Sequence, residues 1–308
     1  MELASTLAGR PPEFTIFTVY VLNRLRGTCR TLVVLFVASV TIPAYGAEAQ
    51  TVAVPREHHA WARFTPGSWS KVRKWMEELD EQGRVKSANI TETKTTLIEV
   101  EDSGCTLQME VTVEIAGKRF VAQPRQVRVG YDGGTNGGRG DFRKTGEATL
   151  DIGGRPVRCA ILESTLIDGD TRVVSRLHYS EAVPPFVLRR ETVSASADGK
   201  QVIEQTTVDA LAVEMPQKVL TELQTGAHMR TVRKQQNAST FTLEVVCLEV
   251  PGGLVAHTSK DLDVSGKLVR RSTLELLDYG VATPAEAARR GFFFQHSRMR
   301  RSQVPVRP

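Results

Sequence analysis

His58 and His59, with Trp61 two positions on, are the only clustered histidines in the chain. Adjacent residues of an extended segment point to opposite faces, so the two rings cannot close on one metal ion. The pair therefore reads as exposed lead-in. His178, His228 and His257 are isolated in sequence. A triad would need a serine or cysteine nucleophile near one of them, and no GxSxG elbow occurs. Acids are plentiful but sit singly on alternating strands, the pattern of a solvated sheet face.

The glycine-rich run Gly130–Gly140 is not a P-loop, because Gly138 is followed by Arg139 and Gly140 rather than by lysine and a hydroxyl residue. No strand–turn–helix unit surrounds it, so it fails the dinucleotide fingerprint as well and reads as a flexible loop. The tripeptide Arg139-Gly140-Asp141 and the glycosylation-type triplets at Asn89 and Asn237 are what chance supplies. No catalytic, cofactor-binding or metal-binding residue is expected. The chain reads as a protein that is not an enzyme and carries no cofactor.

The chain has four cysteines. Cys29 has Gly27-Thr28 before it and precedes an apolar run, so it is no lipidation site. Cys105, Cys159 and Cys247 lack CxxC spacing, which removes a zinc or redox pair, and three cysteines cannot all pair internally. Buried free thiols are the expectation.

Charge is unevenly placed. Residues 284–308 hold six arginines and one acid, Glu286, which equals the net +5 of the whole chain. The remainder has no electrostatic footprint for nucleic acid. Arg24, Arg26 and Arg30 precede an apolar run, Thr31 to Ile42, and then Ala44-Tyr45-Gly46. That order is a secretory signal peptide with cleavage near Gly46. The apolar run falls short of the roughly 20 residues a membrane span needs. Export to a periplasmic or extracellular space is the expectation, with residues 1–46 as leader and signal, and 47–67 as an irregular lead-in. The tail, 284–308, reads as a disordered basic end; its Phe292, Phe293 and Phe294 beside arginines offer the alternative of contact with an anionic membrane surface.

Residues 68–283 must then form the folded part. Leu107, Met109, Val111, Val113 and Ile115 alternate with polar residues at period two, the mark of a half-buried strand. Residues 183–211 and 250–278 align without a gap, each a proline-marked entry, a strand, a Gly-Lys turn and a return strand. Gly199 and Gly266 should supply positive φ at these turns, and Pro184 and Pro251 should mark strand starts. A fainter copy around Gly83 makes Trp69 to Leu79 a strand, although its apolar residues also recur at helical spacing. Met215 to His228 is the best short helix, with Pro216 in its first turn and Gly226 as its stop. The expected class is mainly β: long antiparallel hairpins forming a curved sheet or half-barrel with one or two short helices.

The stretch from Tyr179 through Asp198-Gly199-Lys200, with its proline step, mixed Val/Leu/Arg strand and Asp-Gly turn, resembles the hairpins of LolA/LppX-like lipoprotein-carrier half-barrels. The segment Ala148 to Cys159 resembles the preceding strand pair in them. The mature chain also resembles uncharacterised exported proteins of planctomycete-type bacteria. The resemblance implies a curved sheet able to hold a lipid or acyl chain and carries over no ligand-binding residue. The residues expected to line such an apolar concavity are Leu107, Met109, Val111, Val113 and Ile115, with Val202 and Leu268 from return strands. The partners to expect are a lipid or an envelope protein. The competing expectation is a structural or assembly module of the cell envelope, its sheet packed on itself without a cavity.

Overall fold

The computed structural model describes residues 51–131 and 142–283. The signal segment, most of the glycine-rich run and the basic tail lie outside the described residues.

Threonine, valine and charged residues alternate over long stretches, and such segments gain more from pleated pairing than from helix. They form fifteen strands: β1 (Thr51–Val52), β2 (Trp69–Leu79), β3 (Val85–Glu101), β4 (Gly104–Ile115), β5 (Lys118–Val121), β6 (Arg125–Gly130), β7 (Phe142–Ile152), β8 (Arg155–Asp168), β9 (Thr171–Tyr179), β10 (Val187–Ser196), β11 (Val202–Val219), β12 (Glu222–Gln235), β13 (Ala238–Cys247), β14 (Leu254–Asp263) and β15 (Leu268–Gly280). All belong to one antiparallel sheet ordered β1-β7-β8-β9-β10-β11-β12-β13-β14-β15-β2-β3-β4-β5, with β6 also on β4. The sheet is curved and unclosed, as the alternation predicts.

The hairpin turns behave as glycine requires. Gly199 and Gly266 have φ of 71° and 83°, and Gly83 has 77°. In the β14–β15 turn the Asp263 N–H donates to the Lys267 carbonyl (3.0 Å), and in the β2–β3 turn the Asp80 N–H donates to the Arg84 carbonyl (2.8 Å). Both hairpins carry their bulge at the matching place, beside Leu262↔Leu268 and Leu79↔Val85. Pro184 and Pro251 differ from expectation: they stand in the connections, three residues ahead of β10 and β14.

Trp69 to Leu79 is strand, paired on both sides. Met215 to His228 is not the expected helix but the end of β11, a turn at Leu220 and Thr221, and the start of β12. Glu214 and Leu220 have positive φ (56° and 53°), which ends any right-handed helix there. Bulges beside Ala212 and Met215 accommodate Pro216 within the sheet. Val219, 1% exposed, is buried with Cys247, Val250, Val255 and Leu276, and tertiary burial of this kind outweighs local propensity. The one helical element described is the 3-10 turn Arg56–His58.

The buried residues gather at one end of the strands, where the β3–β4, β9–β10 and β13–β14 connections lie. Leu97, Leu162, Leu177 and Leu188 are each 0–1% exposed there, and burying each side chain is worth about 1.5–3 kcal/mol. The opposite end bears hairpin tips with exposed Phe120, Val121, Ile167, Val202 and Val264. Residues 51–68 form a strap across the buried end. The strap pairs with β7 at Thr51–Val52, sends Val54 into a cluster with Phe142 and Leu177, and packs Trp61 and Phe64 on Leu97, Cys105 and Leu107.

Candidate functional site

Directly opposed residues of antiparallel strands share a face, so the pairing register reads out the inner face row by row. One row runs Met229, Glu244, His257, Leu274, Lys74, Thr91 across β12, β13, β14, β15, β2 and β3. The next, toward the hairpin tips, runs Thr231, Thr242, Ser259, Ser272, Met76. The third runs Arg233, Thr240, Asp261, Arg270, Glu78. Nearer the strap Ala227 and Val246 pair on the same face, so from the strap end outward the inner face passes from apolar through a mixed row and a hydroxyl row to charged.

Two cavities follow this gradient. The first, about 300 Å³, lies under the strap. Val187, Val208, Ala227, Met229 and Val246 supply its apolar wall, and His58 and Ala60 of the strap close it. The second, also about 300 Å³, is polar and lined by Lys74, Met76, Thr242, His257, Ser259 and Arg270 among others. Glu244 lines both.

The strap is fixed at the first cavity by several contacts. His58 Nδ1 lies 2.6 Å from the Tyr179 hydroxyl, and its ring stacks on Phe186 at 3.7 Å. Burial pushes the Tyr179 phenol up to about 12, which keeps it a neutral hydrogen-bonding group. The Gly252 N–H donates to the Ala60 carbonyl at 3.0 Å. His58 and His59 are therefore half-buried parts of the fold, not exposed lead-in. Their opposed directions hold: His59 turns instead toward Tyr131, ring centroids 5.3 Å apart.

The polar groups of the trough are unequally satisfied. Arg270 is paired with Asp261 at 2.5 Å, and Arg233 with Glu204 at 2.5 Å. The Thr242 hydroxyl donates to that of Ser259 at 3.1 Å. Among the described residues Glu244 has no side-chain partner, and burial raises its pKa with no cation to offset it. Among the described residues the buried Nε2 of His257 has no hydrogen-bond partner. Burial, with Lys74 nearby, lowers the pKa of that ring and favours its neutral form. Lys74 has no carboxylate within ion-pair distance among the described residues, unlike Lys71 and Arg73 on the same strand, which share Glu92.

Leu107, Met109, Val111, Val113 and Ile115 do share the inner face, opposite Leu97, Thr95, Thr93, Thr91 and Asn89. Only Leu107 is fully buried, and Ile115 is exposed. Val202 is 53% exposed beside its turn, and Leu268 is half-buried next to the β14–β15 turn. None of the seven lines either cavity. Cys105, Cys159 and Cys247 are free and buried. Among the described residues no three metal-ligating side chains converge.

The sequence matches no family model, and no curated protein matches it. Solved structures give remote likenesses. A Parabacteroides distasonis protein assigned as a lipoprotein has TM-score 0.31 at 11% identity, over 70% of this chain and 96% of that one. A Bacteroides fragilis protein assigned as exported, with a YmcC-like fold, has TM-score 0.28 at 11% identity, over 70% and 98%. Likenesses so distant leave the ligand and the location of this chain to its own residues.

Proposed function

We propose that this protein is an exported, non-enzymatic binding protein that holds the chain of an amphipathic ligand under the strap, with the ligand's polar end on the hydroxyl-bearing part of the inner face. The observation that carries this reading is an apolar cavity of about 300 Å³ beside a polar one, with Glu244 in the lining of both. That size lies at the lower end of ligand pockets, which run from about 300 to 1,000 Å³, and a mostly apolar wall with a few placed polar groups is their usual composition. The resemblance of the Tyr179–Lys200 stretch to lipoprotein-carrier half-barrels points the same way, as does the basic-then-apolar order of residues 24–46 for export. The one thiol in its lining, Cys247, is pushed up to about 11 by burial, and among the described residues no three metal-ligating side chains converge. The test is native mass spectrometry of protein purified from its host without detergent. A non-covalent lipid-like mass on the wild type, lost in Val246→Trp, which fills the cavity, supports binding; a bare wild-type mass after gentle extraction overturns it.

A second reading, a module of the cell envelope, is favoured by the exposed apolar residues at the hairpin tips, Phe120, Val121, Ile167 and Val264. In that role the tips meet an envelope protein, and the basic tail meets the membrane surface.

A further inference from the structure

Glu244 and Lys74 are inner-face charges that have neither a counter-ion nor a side-chain hydrogen bond among the described residues; Glu78, nearer the tips, accepts from the Ser87 hydroxyl, and Glu249, at the wall of the first cavity, accepts from the Cys247 thiol. They stand at one level along the strands but apart across the sheet: Glu244 lines both cavities, Lys74 the polar one alone. Three strand spacings separate them along one row, with the orphaned His257 Nε2 and the Leu274 side chain between. A desolvated carboxylate facing apolar wall is costly unless a cation joins it. An ammonium over a sheet of hydroxyls likewise gains from an anion. The other cations of the polar cavity already have carboxylates: Arg270 has Asp261, Arg233 has Glu204, and Arg271 has Glu77. Arg190, at the wall of the first cavity, stands three strands from Glu244 and does not answer it.

We infer that the ligand is a zwitterionic amphiphile of fixed order: an apolar chain under the strap, a cationic centre next to the chain on Glu244, and an acid group beyond it on Lys74. A purely anionic head would meet Glu244 first. A purely cationic head would leave Lys74 unanswered and crowd the paired arginines. A head with the charges reversed, phosphate next to the chain and ammonium outside, places each charge beside its like. The hydroxyls of Thr242, Ser259 and Ser272 then contact the link between the two charges.

This inference rests on the binding role proposed above, and the experiment separates the two. Full-length mature protein is titrated calorimetrically, below micelle-forming concentrations, with four ligands of one chain length: decyl sulfobetaine (cation inside, acid outside), decylphosphocholine (the reverse), decanoate and decyltrimethylammonium. The sulfobetaine should bind about tenfold or more tighter than each of the others, a difference of about 1.4 kcal/mol. Glu244→Gln should remove its advantage over decanoate, and Lys74→Met its advantage over decyltrimethylammonium. Equal affinity for all four, or a preference unchanged in both variants, overturns the head-group assignment while leaving the cavity intact. Failure of all four to bind overturns the binding role itself, and the head-group assignment falls with it.

Discussion

Gly252 ties the strap to the β13–β14 connection, and its replacement by alanine tests whether the strap is part of the folded unit. Two costs follow from the structure. Its φ of 84° is left-handed, which burdens an L side chain by about 1–2 kcal/mol. A Cβ there would also lie 2.6 Å from Cζ2 of Trp61, well inside contact distance. Trp61 packs against Leu97, Cys105 and Leu107, so moving it gives up part of a buried aromatic, about another 1.5–3 kcal/mol. Gly266→Ala is the internal control: its φ is 83° but nothing lies within 4 Å of the added carbon, leaving the first cost alone. Urea unfolding monitored by circular dichroism, fitted with a common slope, should place Gly252→Ala about 1.5–3 kcal/mol below Gly266→Ala. Limited proteolysis should cut residues 51–68 of the first variant and not of the second. Equal stabilities within about 0.5 kcal/mol would refute the anchoring of the strap through Trp61.

Glu92 on β3 is held down to about 2 by hydrogen bonds and charge from Lys71 and Arg73, so its contribution is present above the ordinary carboxyl range and is lost as pH falls through about 2. Its partners are about one-third exposed, so Glu92→Gln should cost only about 1 kcal/mol at neutral pH and nothing near pH 2, by denaturant titration at both. Burial pushes the thiols of Cys105 and Cys247 up to about 11 and raises that of Cys159. Iodoacetamide at neutral pH should therefore label none of the three until denaturant is added, and rapid native labelling would contradict their burial.

The fold class was legible because period two survives in any strand that is covered on one side. Leu107 to Ile115 is such a strand, and the glycine turns at 83, 199 and 266 punctuate others. The β11–β12 turn was not legible: Val219, Leu220 and Leu223 fit a helical face, and only burial against Cys247 and Val250 decides otherwise. The candidate site was hidden for a more specific reason. In β13 the apolar alternates Phe241 and Leu243 share the outer face, where Leu243 is 57% exposed, while Thr242, 9% exposed, and Glu244 face inward. A reading by hydrophobicity turns that strand inside out. The rows joining Glu244 to His257 and Lys74 cross strands far apart in sequence, so no local motif records them. The role of the strap was hidden, because the burial of Ala62 and the stacking of His58 on Phe186 depend on the sheet it crosses.

The account turns on where an amphiphile's chain lies, and methionine methyl groups report this directly. Met229 lines the apolar cavity under the strap, Met76 the polar cavity, and Met109 the inner face of β4 outside both. With methyl-labelled protein titrated by decyl sulfobetaine, the Met229 resonance should shift saturably and most strongly, Met76 should follow more weakly with the same apparent affinity, and Met109 should stay in place. A saturable shift of Met109 with Met229 unmoved would put the chain on β4 and contradict the cavity under the strap as the binding site.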